Sequence, residues 1–190
     1  FINPTRFNSP YYKVMLEGLR ESDRSPVIAA RGNSINGWEV LHPPSGGRLP
    51  KADDNVTVLA REVHGLRLLL LSDLGEAGQA DLVGSGLDLR NDIVVASMPG
   101  VGEPLGQPLL EAVDPKAIII SAGTYPYAEI PSAALLDRLA KRGVPVFNTL
   151  TDGGIELKIH RTGEWLIQSM HGRDAAGTKI ESTDGADFRR

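Results

Sequence analysis

Two extended, largely apolar stretches joined by a two-residue turn constrain this chain more than any other feature. Val56 to Val63 is rich in β-branched residues, and His64-Gly65 follows as a good turn. Leu66 to Leu71 then runs on as a mostly apolar segment. This predicts a hairpin whose second strand is buried on both faces. Ser72-Asp73 stands at the end of that strand.

Downstream, the pattern alternates between strands and helices. Ile93 to Ala96, Ala117 to Ser121 and Val144 to Phe147 read as short apolar strands. A weak, glycine-diluted helix is expected over Glu76 to Val83, and a short one over Leu109 to Val113. Ser132 caps a third helix, with Leu135, Leu136 and Leu139 on one face and Gly143 closing it. Ile155, Leu157 and Ile159 alternate with Glu156, Lys158 and His160, the signature of a half-exposed strand. Trp165 to Ile167 is expected to pair with it. Upstream, Ser9-Pro10 opens a helix whose Tyr12, Met15, Leu16 and Leu19 are expected to lie on a core. Val27 to Ala30 and Trp38 to Leu41 read as short strands. The fold class is therefore α/β or α+β.

Composition narrows the function. The 190 residues suit one domain, placed at 1–171, and the polar, Gly/Asp/Ser-rich stretch 172–190 reads as a flexible tail. Hydrophobic residues make up 41%, which rules out disorder throughout. Apolar runs such as Leu68 to Leu71 fall far short of the roughly 20 residues of a spanning helix. No signal peptide is visible, and localisation stays unassigned. The chain opens on Phe1 rather than Met, so an upstream segment is expected to have been removed or omitted. There is no cysteine, which excludes disulfides and thiolate chemistry. The formal charge of −4 argues against bare nucleic-acid binding as the main task.

Chemistry in such sheets collects on the loops leaving strand ends. Asp73 there either ligates a metal or caps the next helix. The loop opening with Ser97-Met98-Pro99-Gly100 offers no ionisable group except Glu103. The loop after Ser121 carries Tyr125, Tyr127 and Glu129, and that after Phe147 carries Asp152. With Asp54, Asn55 and Ser72 these residues are the candidate pocket. His42, His64, His160 and His171 show no paired ligand spacing, and no nucleophile elbow, Walker loop or dinucleotide fingerprint is present.

The ordered landmarks resemble one family, the metallo-β-lactamase-fold domain at the C-terminus of the ComEC competence proteins. EVLHPP (Glu39 to Pro44) resembles the strand and loop before that family's central hairpin. ADDNVTVLAREVHGLRLLLLSDL (Ala52 to Leu74) resembles the hairpin followed by L-L-T-G-D. NDIVVASMPG (Asn91 to Gly100) resembles the strand entering H-H-G-S, and DPKAIIISAG (Asp114 to Gly123) the strand after it. YPYAEIP (Tyr125 to Pro131) sits at N-x-Y-G-H-P, and VFNTLTDGGIEL (Val146 to Leu157) at R-T-D-x-x-G-x-I.

The resemblance implies a metallo-β-lactamase-like αββα sandwich, of which this chain is the C-terminal portion, with the hairpin mid-sheet. It also implies a dinuclear site built from imidazoles and carboxylates. Here Met98-Pro99-Gly100 stands at H-H-G, Glu129-Ile130 near the late histidine, and Asn148-Thr149-Leu150 at R-T-D. Of the implied ligands in this half, Asp73 alone keeps its type. Met is a soft, weak ligand, and Pro has no side-chain donor.

Three readings follow. The first is a degenerate, non-catalytic domain for binding or assembly. The second is an active metal-dependent hydrolase, a phosphodiesterase or nuclease, using upstream ligands plus Asp73 with zinc or manganese; nucleic acid enters by resemblance. The third is an unrelated α/β binding domain, with helices on both faces of a parallel sheet. A half-domain would also expose the apolar sheet of 68–71, 93–95 and 118–120. Either the N-terminal part of the same domain or a protein partner is then expected to cover it.

Overall fold

The computed structural model describes residues 2–4, 9–22, 26–46, 49–125 and 129–178. Its centre is the expected hairpin. Strand β3 (Val58–Val63) pairs antiparallel with β4 (Leu66–Ser72), Val63 facing Leu66 across a turn in which both His64 and Gly65 have positive φ. Outside β3 lie β2 (Trp38–His42) and the two-residue β1 (Ser34–Ile35), both antiparallel. On the other side β5 (Ile93–Ser97), β6 (Ala117–Ser121) and β7 (Val146–Asn148) add in parallel. The seven-stranded sheet therefore runs in chain order, with the hairpin third and fourth.

Alternation along β4 decides what each face meets. Leu69 and Leu71 point to one side with Val94, Ala96, Ile118 and Ile120. Helices α2 (Glu76–Val83), α3 (Gln107–Val113) and α4 (Ala133–Lys141) cover that side through Leu82, Leu109, Leu110, Val113, Leu135 and Leu139. Ser132 caps α4 as expected, accepting from the Leu135 amide at 3.0 Å. Leu66, Ile93, Ala117, Ile119 and Phe147 point to the other side. There a second sheet packs on them with Trp165 and Ile167. It is formed by β8 (Ile155–Ile159), β9 (Glu164–Ser169) and β10 (Asp174–Thr178), all antiparallel. Its outer face carries Glu156, Lys158 and Gln168.

The result is an α/β sandwich. Helices cover one face of the large sheet and a small sheet covers the other, which is not the doubly helix-covered parallel sheet of the third reading.

Several expectations need correction. The apolar sheet is not left open. Leu69, Leu71, Ile93, Val94, Ile118 and Ile120 are all fully buried by elements of this chain. The polar stretch is not tail from its start, because Asp174–Thr178 forms β10 against Glu164–Gln168. Gly177 is what permits that pairing, since a Cβ there would lie 2.7 Å from the Trp165 ring. Residues 179–190 lie outside the described residues. Helix α1 (Pro10–Glu21) forms, yet buries no residue fully. Tyr12, Leu16 and Leu19 are half-buried, while Tyr11, Val14 and Met15 are exposed. The strand expected over Val27 to Ala30 shrinks to a single parallel bridge, Ile28 with Ile2.

Candidate functional site

The parallel half of the sheet delivers four chain segments to one edge, beyond the C-terminal ends of β4, β5, β6 and β7. The candidate residues that are described lie on or beside this edge, and the structure uses them in two different ways.

Asp54 and Asn55 are structural. They sit in a 3-10 turn (Asp53–Asn55), at 3% and 2% exposure. The Asp54 carboxylate accepts from the Ala77 amide at 3.1 Å and the Lys51 amide at 3.2 Å. It therefore caps α2, whose own N-cap residue, Gly75, has no side chain to do so. The approach is so close that a Cβ on Gly75 would lie 2.5 Å from Asp54 Oδ1. Asn55 closes the 49–51 loop, exchanging two 2.9 Å hydrogen bonds with the Leu49 backbone.

Asp152 is structural too. It is buried, accepts from the Asn148 amide at 2.7 Å, and takes Arg173 Nη1 on both oxygens at 2.9 Å. Arg173 also lies over the Phe147 ring, 5.0 Å from its centroid. Thr149, at the end of β7, donates to the Ala122 carbonyl and accepts from the Ala122 amide, both at 2.9 Å, tying the last two parallel strands together.

The remaining candidates face outward. A register shift between Leu70 and Ser72 ends β4, and Ser72 takes φ 54°, a left-handed conformation that costs a non-glycine residue roughly 1–2 kcal/mol. This bulge re-aims the pair: Ser72 is exposed and donates to Asp73 Oδ1 at 2.8 Å. Tyr125 is 90% exposed, and Glu129 is exposed with its backbone closing the loop onto Gly123. Tyr127 lies outside the described residues. Ser72, Tyr125 and Glu129 are thus exposed and Asp73 is half-exposed along the rim of this edge. A shallow groove of about 440 Å³ lies elsewhere, lined by Ser34, Glu39, Arg61, Glu62, Arg67 and Asn91.

The positions facing Asp73 across the edge decide what the site can hold. Met98 is 8% exposed and packs in the helix-side core, and Pro99 is buried behind it. The Gly100 amide donates to Asp53 Oδ2 at 2.9 Å, pinning this loop to the 3-10 turn. Among the described residues no group of three His, Asp or Glu side chains stands close enough to hold a metal ion. The donors present do not fit a dinuclear zinc or manganese centre, which needs several imidazoles and carboxylates converging.

Sequence reading missed a buried histidine set against the partly exposed ion pair of Arg31 and Asp81. His42 is fully buried, with Nε2 2.8 Å from the Asp54 carbonyl, so that nitrogen carries the proton and donates. Its Nδ1 lies 3.2 Å from Asp81 Oδ2, and Arg31 holds the same carboxylate. Burial lowers the His42 pKa below its ordinary value, against the opposing pull of the Asp54 carbonyl and Asp81. His42 stood in the sequence only as the end of a strand before two prolines, and its partners are distant along the chain. Glu103 stood in the sequence as the one ionisable group of its loop, with its partners equally out of sight. Its carboxyl is held below the usual range by Ser132 and then by Arg138, at 2.7 Å each.

No protein-family model matches the chain. It is 22% identical over 165 residues to ComE operon protein 3 of Bacillus subtilis (strain 168), a match covering 84% of this chain. The matched region is 21% of that protein, so the chain spans about a fifth of the curated relative's length.

Proposed function

We propose that this chain is a competence-related domain of metallo-β-lactamase-like architecture whose strand-end edge serves binding or assembly instead of hydrolysis. The observation that carries this reading is the inward burial of Met98 and Pro99. They stand at the two places where the family resemblance puts imidazoles; Met98 packs in the helix-side core and Pro99 is buried next to it in the chain. Asp54 and Asp152 support it as well, since their carboxylates are consumed by backbone amides and Arg173. A carboxylate so engaged has little capacity left for a metal. The distant similarity to ComE operon protein 3 supports the competence association.

The hydrolase reading retains one favourable observation. Asp73 stands at the mouth of β4, half-exposed, with the Ser72 hydroxyl as its hydrogen-bonding partner. Such a carboxylate is free to act if other ligands reach it from outside this segment. A nuclease assay with Mn²⁺ or Zn²⁺ on the full-length protein separates the two. The binding reading expects background cleavage, identical for wild type and Asp73→Ala. Metal-dependent cleavage that disappears in Asp73→Ala contradicts it.

A further inference from the structure

The same edge carries a feature that loss of catalysis does not require. Val101, Tyr125, Ile130 and Leu150 are exposed at 66%, 90%, 52% and 37%. They belong to the segments that leave β5, β6 and β7, three adjacent strands in the order of the sheet. Beside them, Asp73, Glu76 and Glu129 form no ion pair among the described residues. Arg138, which could offset them, is engaged by Glu103 and the Leu105 carbonyl. Lys51 is an exposed cation flanking the 3-10 turn. Each of the three segments leaving β5, β6 and β7 thus exposes at least one large apolar side chain, with Glu129 next to Ile130 and with Asp73 and Glu76 at the β4 end.

We propose that this rim docks an amphipathic helix from a protein partner, with apolar side chains on the rim-facing side and Lys or Arg beside them. Geometry suits that occupant. Adjacent strands are about 4.8 Å apart, so the β5-to-β7 edge spans about 10 Å. Two turns of helix rise about 11 Å, which brings residues one turn apart over successive loops. The acidic end selects cations and repels phosphates, so nucleic acid is the disfavoured ligand here. The inference rests on the non-catalytic reading of the edge, because an ordered metal centre would change both its charge and its shape.

The test uses a fluorescein-labelled amphipathic peptide with Leu at helical spacing and Lys between, and a partner peptide with Glu replacing every Lys. Fluorescence anisotropy against the full-length protein should give saturable binding of the Lys peptide and at least tenfold weaker binding of the Glu peptide. Val101→Asp and Ile130→Asp should each weaken the Lys peptide about tenfold, and Glu129→Gln about threefold, with unchanged thermal midpoints. Equal binding of the two peptides overturns the proposal, as does binding indifferent to Val101→Asp and Ile130→Asp. Displacement of the peptide by an equimolar single-stranded oligonucleotide overturns it in favour of nucleic acid. Zinc analysis of the same samples separates the failures. Stoichiometric zinc at Asp73 removes the non-catalytic reading and this inference together, whereas zinc-free protein indifferent to the variants removes the inference alone.

Discussion

Two layers of one sheet edge behave oppositely. Below, Asp54, Asn55, His42 and Asp152 are buried and held by backbone groups or by Arg173. Above, Asp73, Tyr125 and Glu129 face solvent with few internal partners. Both layers are rich in polar groups, and composition does not distinguish them. What separates them is whether a carboxylate satisfies the ends of secondary structure or is left available. An acidic residue near a strand end is therefore no indication of chemistry until its hydrogen bonds have been traced.

Substitutions in the two layers should differ most at Asp54. Asp54→Ala strands the amides of Lys51 and Ala77 and uncaps α2, and should cost about 3 kcal/mol in a urea unfolding experiment. A cost below about 1 kcal/mol would mean that water replaces the carboxylate and the buried layer is looser than described. Arg173→Ala is next. It leaves the buried Asp152 with the Asn148 amide, and also removes the contact with Phe147. The expected loss is about 2 kcal/mol, less than for a fully buried pair because Arg173 is half exposed to water.

The pH response sharpens the same contrast. His42 is lowered in the folded state, so the unfolded chain takes up its proton first. Its contribution is nil well above the ordinary histidine value. Stability then falls as pH drops below that value, with a slope of at most about 1.4 kcal/mol per pH unit. His42 faces Asp81 of α2, Arg31 of the preceding loop and the Asp54 carbonyl. Glu103 acts in a lower window: its depressed pKa stabilises above the ordinary carboxylate value, and that gain is lost as pH falls through its folded value. A pH titration of the unfolding midpoint on wild type and His42→Gln should show the upper step in the wild type only. The smallest effect belongs to the outer layer. Asp73→Asn should leave stability within about 0.5 kcal/mol, since it alters one exposed hydrogen bond to Ser72. A loss of 2 kcal/mol there would place Asp73 in the structural layer.

The sequence exposed the frame more readily than the site, for a physical reason. Periodicity reports burial directly, so Leu66 to Leu71, Ile93 to Ala96 and Ile155 to Ile159 could be read from local pattern alone. Burial is a property of single residues with neighbours two or four positions away. Beside the nearby amides of Lys51 and Asn148, the uses of Asp54 and Asp152 depend on an amide 23 residues away and on an arginine 21 residues away. No local pattern carries such partnerships. Strand β10 was hidden because Asp174, Ala175, Ala176, Gly177 and Thr178 have little intrinsic strand preference; pairing with β9 and the space above Trp165 impose it. Helix α1 failed in the opposite sense. Its apolar spacing was read correctly, but the large sheet is already covered by other elements.

Metal content tests the central claim most directly. The full-length protein should be incubated with excess zinc, dialysed, and analysed by plasma mass spectrometry beside Asp73→Ala. An edge sealed by Met98 and Pro99 should retain far less than one zinc per chain, with no difference between the two proteins. A stoichiometric pair of zinc ions in the wild type that is lost in Asp73→Ala would contradict it.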